Sequence, residues 1–220
     1  MTRKRTAILI SGRGSNMSAL IAAASDAGYP AEIALVGSNR PEAAGLQRAA
    51  EAGIPTAIVD HTIYGKDRTA FERALHDVLL QHRIQIICLA GFMRLLSPWF
   101  IAQWPNRILN IHPALLPSFK GLDTHRRAIE AGASEHGATV HFVVAEMDSG
   151  PVVAQGRVPL FPDDTETALA ARVLAVEHRI YPLALKLVAS DRVRVDDGRC
   201  IVCGAVSAEE ATLLPRHPAH

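Results

Sequence analysis

Cysteine is scarce in this chain, with three in 220 residues and one of them, Cys88, inside an apolar run. No disulfide framework is therefore expected to hold the fold together. An excess of charge of one sign is missing as well: 23 Lys and Arg against 22 Asp and Glu leave a formal net charge of +1. No global field draws such a chain to nucleic acid or anionic lipid, although a few backbone amides can still hold a phosphate locally. No stretch approaches the ~20 apolar residues of a membrane-spanning helix. The basic start Met1-Thr-Arg3-Lys4-Arg5 is followed only by Thr6 to Ile10 before Ser11-Gly12-Arg13, too short for the apolar region of a secretory signal. Internal repeats, low-complexity tracts and splitting linkers are absent. These absences predict a cytoplasmic chain with neither a membrane nor a nucleic acid as partner.

What is present is enough to build a core: 49% of residues are hydrophobic and 20% charged, outside the range of disordered chains. The length suits a single domain over residues 1–190, followed by a short strand pair and polar tail over 191–220. Apolar runs at Thr6–Ser11, Ala31–Ser38, Thr56–Asp60, Ile84–Ala90 and Ile108–Ile111 read as buried parallel strands. Helical periods at Met17–Ala27, Glu42–Ala52 and Asp67–Gln81 lie between them. The alternation predicts an α/β fold: an open, mostly parallel twisted sheet with helices on both faces. Thr139–Ala145 and Val152–Val158 predict an antiparallel C-terminal extension. A long helix follows over Thr165–Ser190, with Leu169, Val173, Val176, Ile180, Leu183 and Leu187 as its stripe and Asp163 with Glu166 as its capping pair. Pro182 inside that stripe predicts a kink.

Three motifs follow strands, where α/β sheets place their ligands. Ser11-Gly12-Arg13-Gly14-Ser15-Asn16 joins the first strand to the first helix. Its free amides and the helix dipole suit an anion, with Ser15 or Asn16 available as cap. It lacks the Lys-Ser/Thr of a Walker loop and the third glycine of a dinucleotide fingerprint. Gly91-Phe-Met93-Arg94-Leu95-Leu96 offers an apolar wall suited to a flat heterocycle. Asn110-Ile-His112-Pro113 and Met147-Asp148-Ser-Gly150-Pro151 supply an amide, an imidazole and a carboxylate. Acyl transfer between nitrogens uses that set: the amide donates to a developing oxyanion, the imidazole moves a proton, and the carboxylate orients the imidazole and raises its pKa. Cys200-Ile-Val-Cys203 has the spacing of half a zinc site, which only His217 and His220 of the tail could complete. No metal is expected. Glu177 falls opposite the stripe of its helix and reads as a solvated charge.

These motifs resemble one family in order and spacing. With Ala90-Gly-Phe-Met-Arg94, Asn110–Pro117, His136-Gly-Ala-Thr-Val-His141 and Met147–Gln155, the chain from about Thr6 to about Ala189 is similar to the phosphoribosylglycinamide formyltransferases. The resemblance implies the formyltransferase fold and 10-formyltetrahydrofolate as co-substrate. It also implies transfer of the formyl group to the amine of glycinamide ribonucleotide in purine synthesis. Carried over by position, Asn110, His112 and Asp148 are catalytic. Gly14, Ser15 and Asn16 cradle the acceptor phosphate, and Glu177 holds its ribose. Met93, Arg94, Leu95, Leu96 and Val143 line the folate pocket. Arg68 occupies the place of a folate contact, while its helical position is equally that of a solvated side chain. Asp123 stands where related chains often carry histidine, which leaves the three catalytic residues intact. The partners implied are small molecules, with either a monomer or a homodimer compatible.

Overall fold

The computed structural model describes residues 2–215 and divides into two compact units, Met1–Asn110 and Ile111–His220. The first unit is a run of strand–helix repeats. Its strands are β1 (Lys4–Ile10), β2 (Ala31–Ser38), β3 (Thr56–Ile58), β4 (Ile86–Leu89) and β5 (Ile108–His112), and its helices are α1 (Ser15–Ala24), α2 (Ala44–Glu51), α3 (Arg68–Gln81) and α4 (Pro98–Gln103). The order across the sheet is β3-β2-β1-β4-β5 and every pairing is parallel. Ala7, Ile8, Leu9 and Ile10 of β1 are fully buried, as a central strand covered on both faces requires. Burying each larger apolar side chain contributes roughly 1.5–3 kcal/mol.

β5 crosses the boundary, so Ile111 and His112 open the second unit. There follow α5 (Thr124–Glu130), the antiparallel pair β6 (Glu135–Phe142) and β7 (Val152–Pro159), the long α6 (Glu166–Ala189), the hairpin β8 (Val193–Asp196) with β9 (Arg199–Val202), and α7 (Ala208–Thr212). The fold is thus α/β, with a mostly parallel seven-stranded sheet and the expected antiparallel extension.

Several details differ from the sequence reading. β6 begins at Glu135 rather than Thr139, because Gly137 and Ala138 extend the pairing with β7. The helices α4, α5 and α7 are five to seven residues long, too short for an apolar period to announce them. The cap of α6 is Thr165, whose hydroxyl accepts the Ala168 N–H at 3.2 Å. Asp163 does not cap it, and Asp164 instead meets the Arg172 guanidinium at 2.7 and 2.8 Å. That fork pulls the Asp164 carboxyl down to about 2. Pro182 lies inside α6, which spans Glu166–Ala189. Besides the expected stripe, Glu177, Tyr181 and Leu185 are buried, a second row at i, i+4, i+8.

Candidate active site

His112 ends β5 and is 6% exposed. Its Nε2 lies 3.0 Å from the Phe119 carbonyl, which can only accept, so Nε2 carries hydrogen. The opposite nitrogen, Nδ1, stands 3.5 Å from Asp148 Oδ2. Asp148 sits on the turn between β6 and β7 with φ of 50°, a left-handed conformation that Asp tolerates better than most side chains. The same Oδ2 accepts the Gly121 N–H at 2.9 Å. Lys120 Nζ donates to the Ser149 hydroxyl and reaches Glu146 at 3.4 Å. The loop after β5 and the loop after β6 are therefore tied at both the carboxylate and its neighbours. Gly150 permits this tie: a Cβ there would stand 1.7 Å from the Phe142 carbonyl oxygen.

Asn110 precedes His112 by two residues on β5 and is half-buried. Alternation along a strand turns the two side chains to the same face. An amide donor and an imidazole on one face, with a carboxylate behind the imidazole, can stabilise a developing oxyanion and handle a proton.

His136, fully buried, lies with its Nε2 3.2 Å from His125 Nδ1, and the Phe119 ring meets it edge-on. Burial, followed by the charges of His125 and His112, pushes His136 down to about 4. It is a neutral support behind Phe119, whose carbonyl holds His112. Asp123 is exposed, takes φ of 57° at the start of α5 and pairs with Arg126. Val143, just past β6, is half-buried. Glu177 is 7% exposed, contrary to the solvated reading, because α6 is covered on more than the face of its apolar stripe.

In the first unit, Gly14 takes φ of 73° and is the N-cap of α1, with no side-chain hydrogen bond to the cap. The expected capping by Ser15 or Asn16 does not occur, since both lie within the helix. First-turn N–H groups left uncapped by side chains suit an anion. The Gly45 N–H donates to the Gly12 carbonyl at 3.0 Å and steadies the loop.

The loop after β4 is held from both ends. Ser11 N–H donates to the Gly91 carbonyl at 3.1 Å, and Met93 N–H donates to Ser11 Oγ at 2.8 Å. At the far end, Glu72 is 1% exposed and its Oε1 accepts the Ser97 N–H at 2.6 Å. Arg68 meets Glu72 at 3.2 Å and donates to the Leu95 carbonyl, so it is engaged rather than simply solvated. Arg94 lies over the Phe71 ring at 5.8 Å, and Leu96 is half-buried. Met93 and Leu95 are 70% and 68% exposed. Two large apolar side chains presented to water by a pinned loop fit a flat apolar ligand.

Ser11, Glu72, Gly121 and His141 were missed as site-building residues. Ser11 and His141 had a sequence signal, as the start of the Ser11–Asn16 motif and the end of the His136–His141 motif. Cys200 is buried, and burial pushes its thiol up to about 12, while Cys203 is exposed. His217 and His220 lie outside the described residues, and among the described residues no group of three His, Cys, Asp or Glu is placed to hold a metal ion. No helix among them is long and apolar enough to cross a membrane.

A family profile described as formyl transferase matches residues 4–185. The chain belongs to the formyl transferase family. It is 44% identical over 193 residues to a phosphoribosylglycinamide formyltransferase of Escherichia coli, covering 86% of this chain and 89% of that one. Among solved structures it is similar to glycinamide ribonucleotide transformylase 1 of Symbiobacterium toebii, with TM-score 0.89 and 42% identity over 92% of this chain and 95% of that one. It is also 46% identical over 197 residues to the trifunctional purine biosynthetic protein adenosine-3 of Chironomus tentans, covering 89% of this chain. It spans only 14% of that relative's length.

Proposed function

We propose that this formyl transferase moves the formyl group of 10-formyltetrahydrofolate to the amine of N1-(5-phospho-D-ribosyl)glycinamide. The products are N-formylglycinamide ribonucleotide and tetrahydrofolate, a step of purine synthesis in the cytoplasm. The observation that carries this reading is the buried His112–Asp148 pair at 3.5 Å, in a chain of this family with Asn110 two residues before the histidine. The transferase acts through residues 1–190, to which the β8–β9 hairpin and α7 are appended, either as a monomer or as a homodimer.

The co-substrate supplies an activated formyl carbon. Asn110 and protonated His112 donate hydrogen bonds to the formyl oxygen as it gains negative charge. Asp148 holds His112 in orientation and takes up the proton released by the attacking amine. Gly14, Ser15 and Asn16 take the acceptor phosphate at the start of α1, and Glu177 takes the ribose hydroxyls. Met93, Arg94, Leu95, Leu96 and Val143 take the folate ring, and Arg68 takes the anionic end of that ligand. No metal enters this scheme.

The test is an absorbance assay for deformylated folate with and without the acceptor. Signal only with the acceptor supports the proposal. Signal without it points to a hydrolase, and no signal under either condition rejects formyl chemistry. An acceptor lacking its phosphate is expected to raise KM at least tenfold, and an unchanged KM would remove the phosphate assignment.

A further inference from the structure

Three buried side chains of the second unit form one array that the proposed chemistry only partly uses. Asp148 lies between two imidazoles, with Oδ2 3.5 Å from His112 Nδ1 and Oδ1 3.7 Å from His141 Nε2. Each ring is held from behind by a backbone carbonyl, Phe119 for His112 at 3.0 Å and Phe142 for His141 at 2.9 Å. Carbonyl oxygens only accept, so both outer nitrogens carry hydrogen. In their neutral forms, both inner nitrogens therefore turn a lone pair toward the same carboxylate. The three side chains are 7%, 10% and 3% exposed, so solvent does little to screen that repulsion. A proton placed between a ring and the carboxylate turns repulsion into a charge-assisted hydrogen bond. The array thus has two positions for a proton, one on each side of Asp148.

The second position is built by the strand. The pairing of β6 with β7 shifts register between Val140 and His141, and irregularities of this kind re-aim a side chain. Among the described residues, Asp148 and His112 are ionisable groups that act on His141. Burial, the largest influence, lowers the His141 pKa, and a charged His112 lowers it further, against the Phe142 carbonyl and Asp148. His141 is thereby kept as a neutral acceptor.

We infer that His141 is a positioning residue for formyl transfer: its Nε2 lone pair accepts a hydrogen bond from Asp148 once that carboxylate has taken the proton of the attacking amine. The inference rests on the formyl-transfer reading above. As the amine nitrogen bonds to the formyl carbon, the N–H proton passes to Asp148, which then donates to His141. As the bond from that carbon to the folate nitrogen breaks, the proton passes to that nitrogen and Asp148 returns to carboxylate. The cycle neither gains nor loses a proton, and nothing is oxidised or reduced.

The experiment pairs His141→Gln kinetics with histidine ¹⁵N NMR of the wild-type protein. The variant should lose about tenfold or more in kcat, keep both KM values within about twofold, and move the acid limb of the kcat–pH profile to lower pH. That shift is expected because the state of the site that holds the transferred proton loses an acceptor. An unchanged kcat, or a uniform loss with the limb unmoved, overturns the inference. The NMR readout stands even if the variant fails to fold. Neutral His141 should be the Nδ1–H tautomer with an Nε2 lone pair, and an Nε2–H tautomer overturns the inference. Absence of formyl transfer by the wild type would instead reject the proposed function, so the two failures are separable.

Discussion

The carboxylate of Glu72 on α3 caps the Ser97 N–H at 2.6 Å and also accepts the Ser97 hydroxyl. One buried side chain thus fixes the far end of the Met93–Leu96 loop and, through Arg68, the Leu95 carbonyl. Glu72→Ala leaves the Ser97 amide without its acceptor and should cost about 1–3 kcal/mol. Urea unfolding followed by tryptophan fluorescence measures it, and Glu72→Gln, which keeps an oxygen, should lose less. Where Glu72→Ala remains folded, KM for the formyl donor should rise more than kcat falls.

Gly150 tests how tightly the Asp148 turn is held. A methyl group there meets the Phe142 carbonyl oxygen at 1.7 Å and its carbon at 2.9 Å, so backbone must move. Asp148 lies two residues away, and a displacement near 1 Å in a catalytic group costs on the order of 10²-fold. Gly150→Ala is expected to lose about that much in kcat while circular dichroism stays close to wild type. A variant with full kcat would show that the turn tolerates the shift.

Stability should depend on pH through the buried histidines. His136 is held at about 4 in the fold against 6.5 for an unperturbed ring. The fold therefore excludes a proton that the unfolded chain binds. Stability from this source is complete above pH 6.5 and declines as pH falls toward about 4. Burial shifts His125 and His178 in the same direction. Urea midpoints taken between about pH 7.5 and about pH 5 should fall, and His136→Asn, if it folds, should flatten that dependence. A midpoint rising over this range would contradict it.

Much of the architecture was legible because it is written in local patterns. The apolar runs of β1, β2 and β4 and the stripe on α6 have periods that a single segment carries by itself. The amide, imidazole and carboxylate of Asn110, His112 and Asp148 were legible as group types, and the structure brings His112 and Asp148 to 3.5 Å. What escaped depends on segments far apart in the chain. Glu177 is polar at the position where α6 is covered a second time, and no helical period reveals a second covering element. Glu72 acts on Ser97, 25 residues away, and nothing near either residue indicates the other. The role of His141 comes from a register shift and from which carbonyl each imidazole meets. Those facts exist only once β6 has paired with β7.

In the proposed chemistry the imidazole of His112, oriented by Asp148, stabilises the charge developing on the formyl oxygen. Single-turnover formyl transfer to glycinamide ribonucleotide by His112→Ala tests it most directly. The expected rate is about 10²–10³ below wild type, with thermal unfolding little changed. Transfer at the wild-type rate would contradict it.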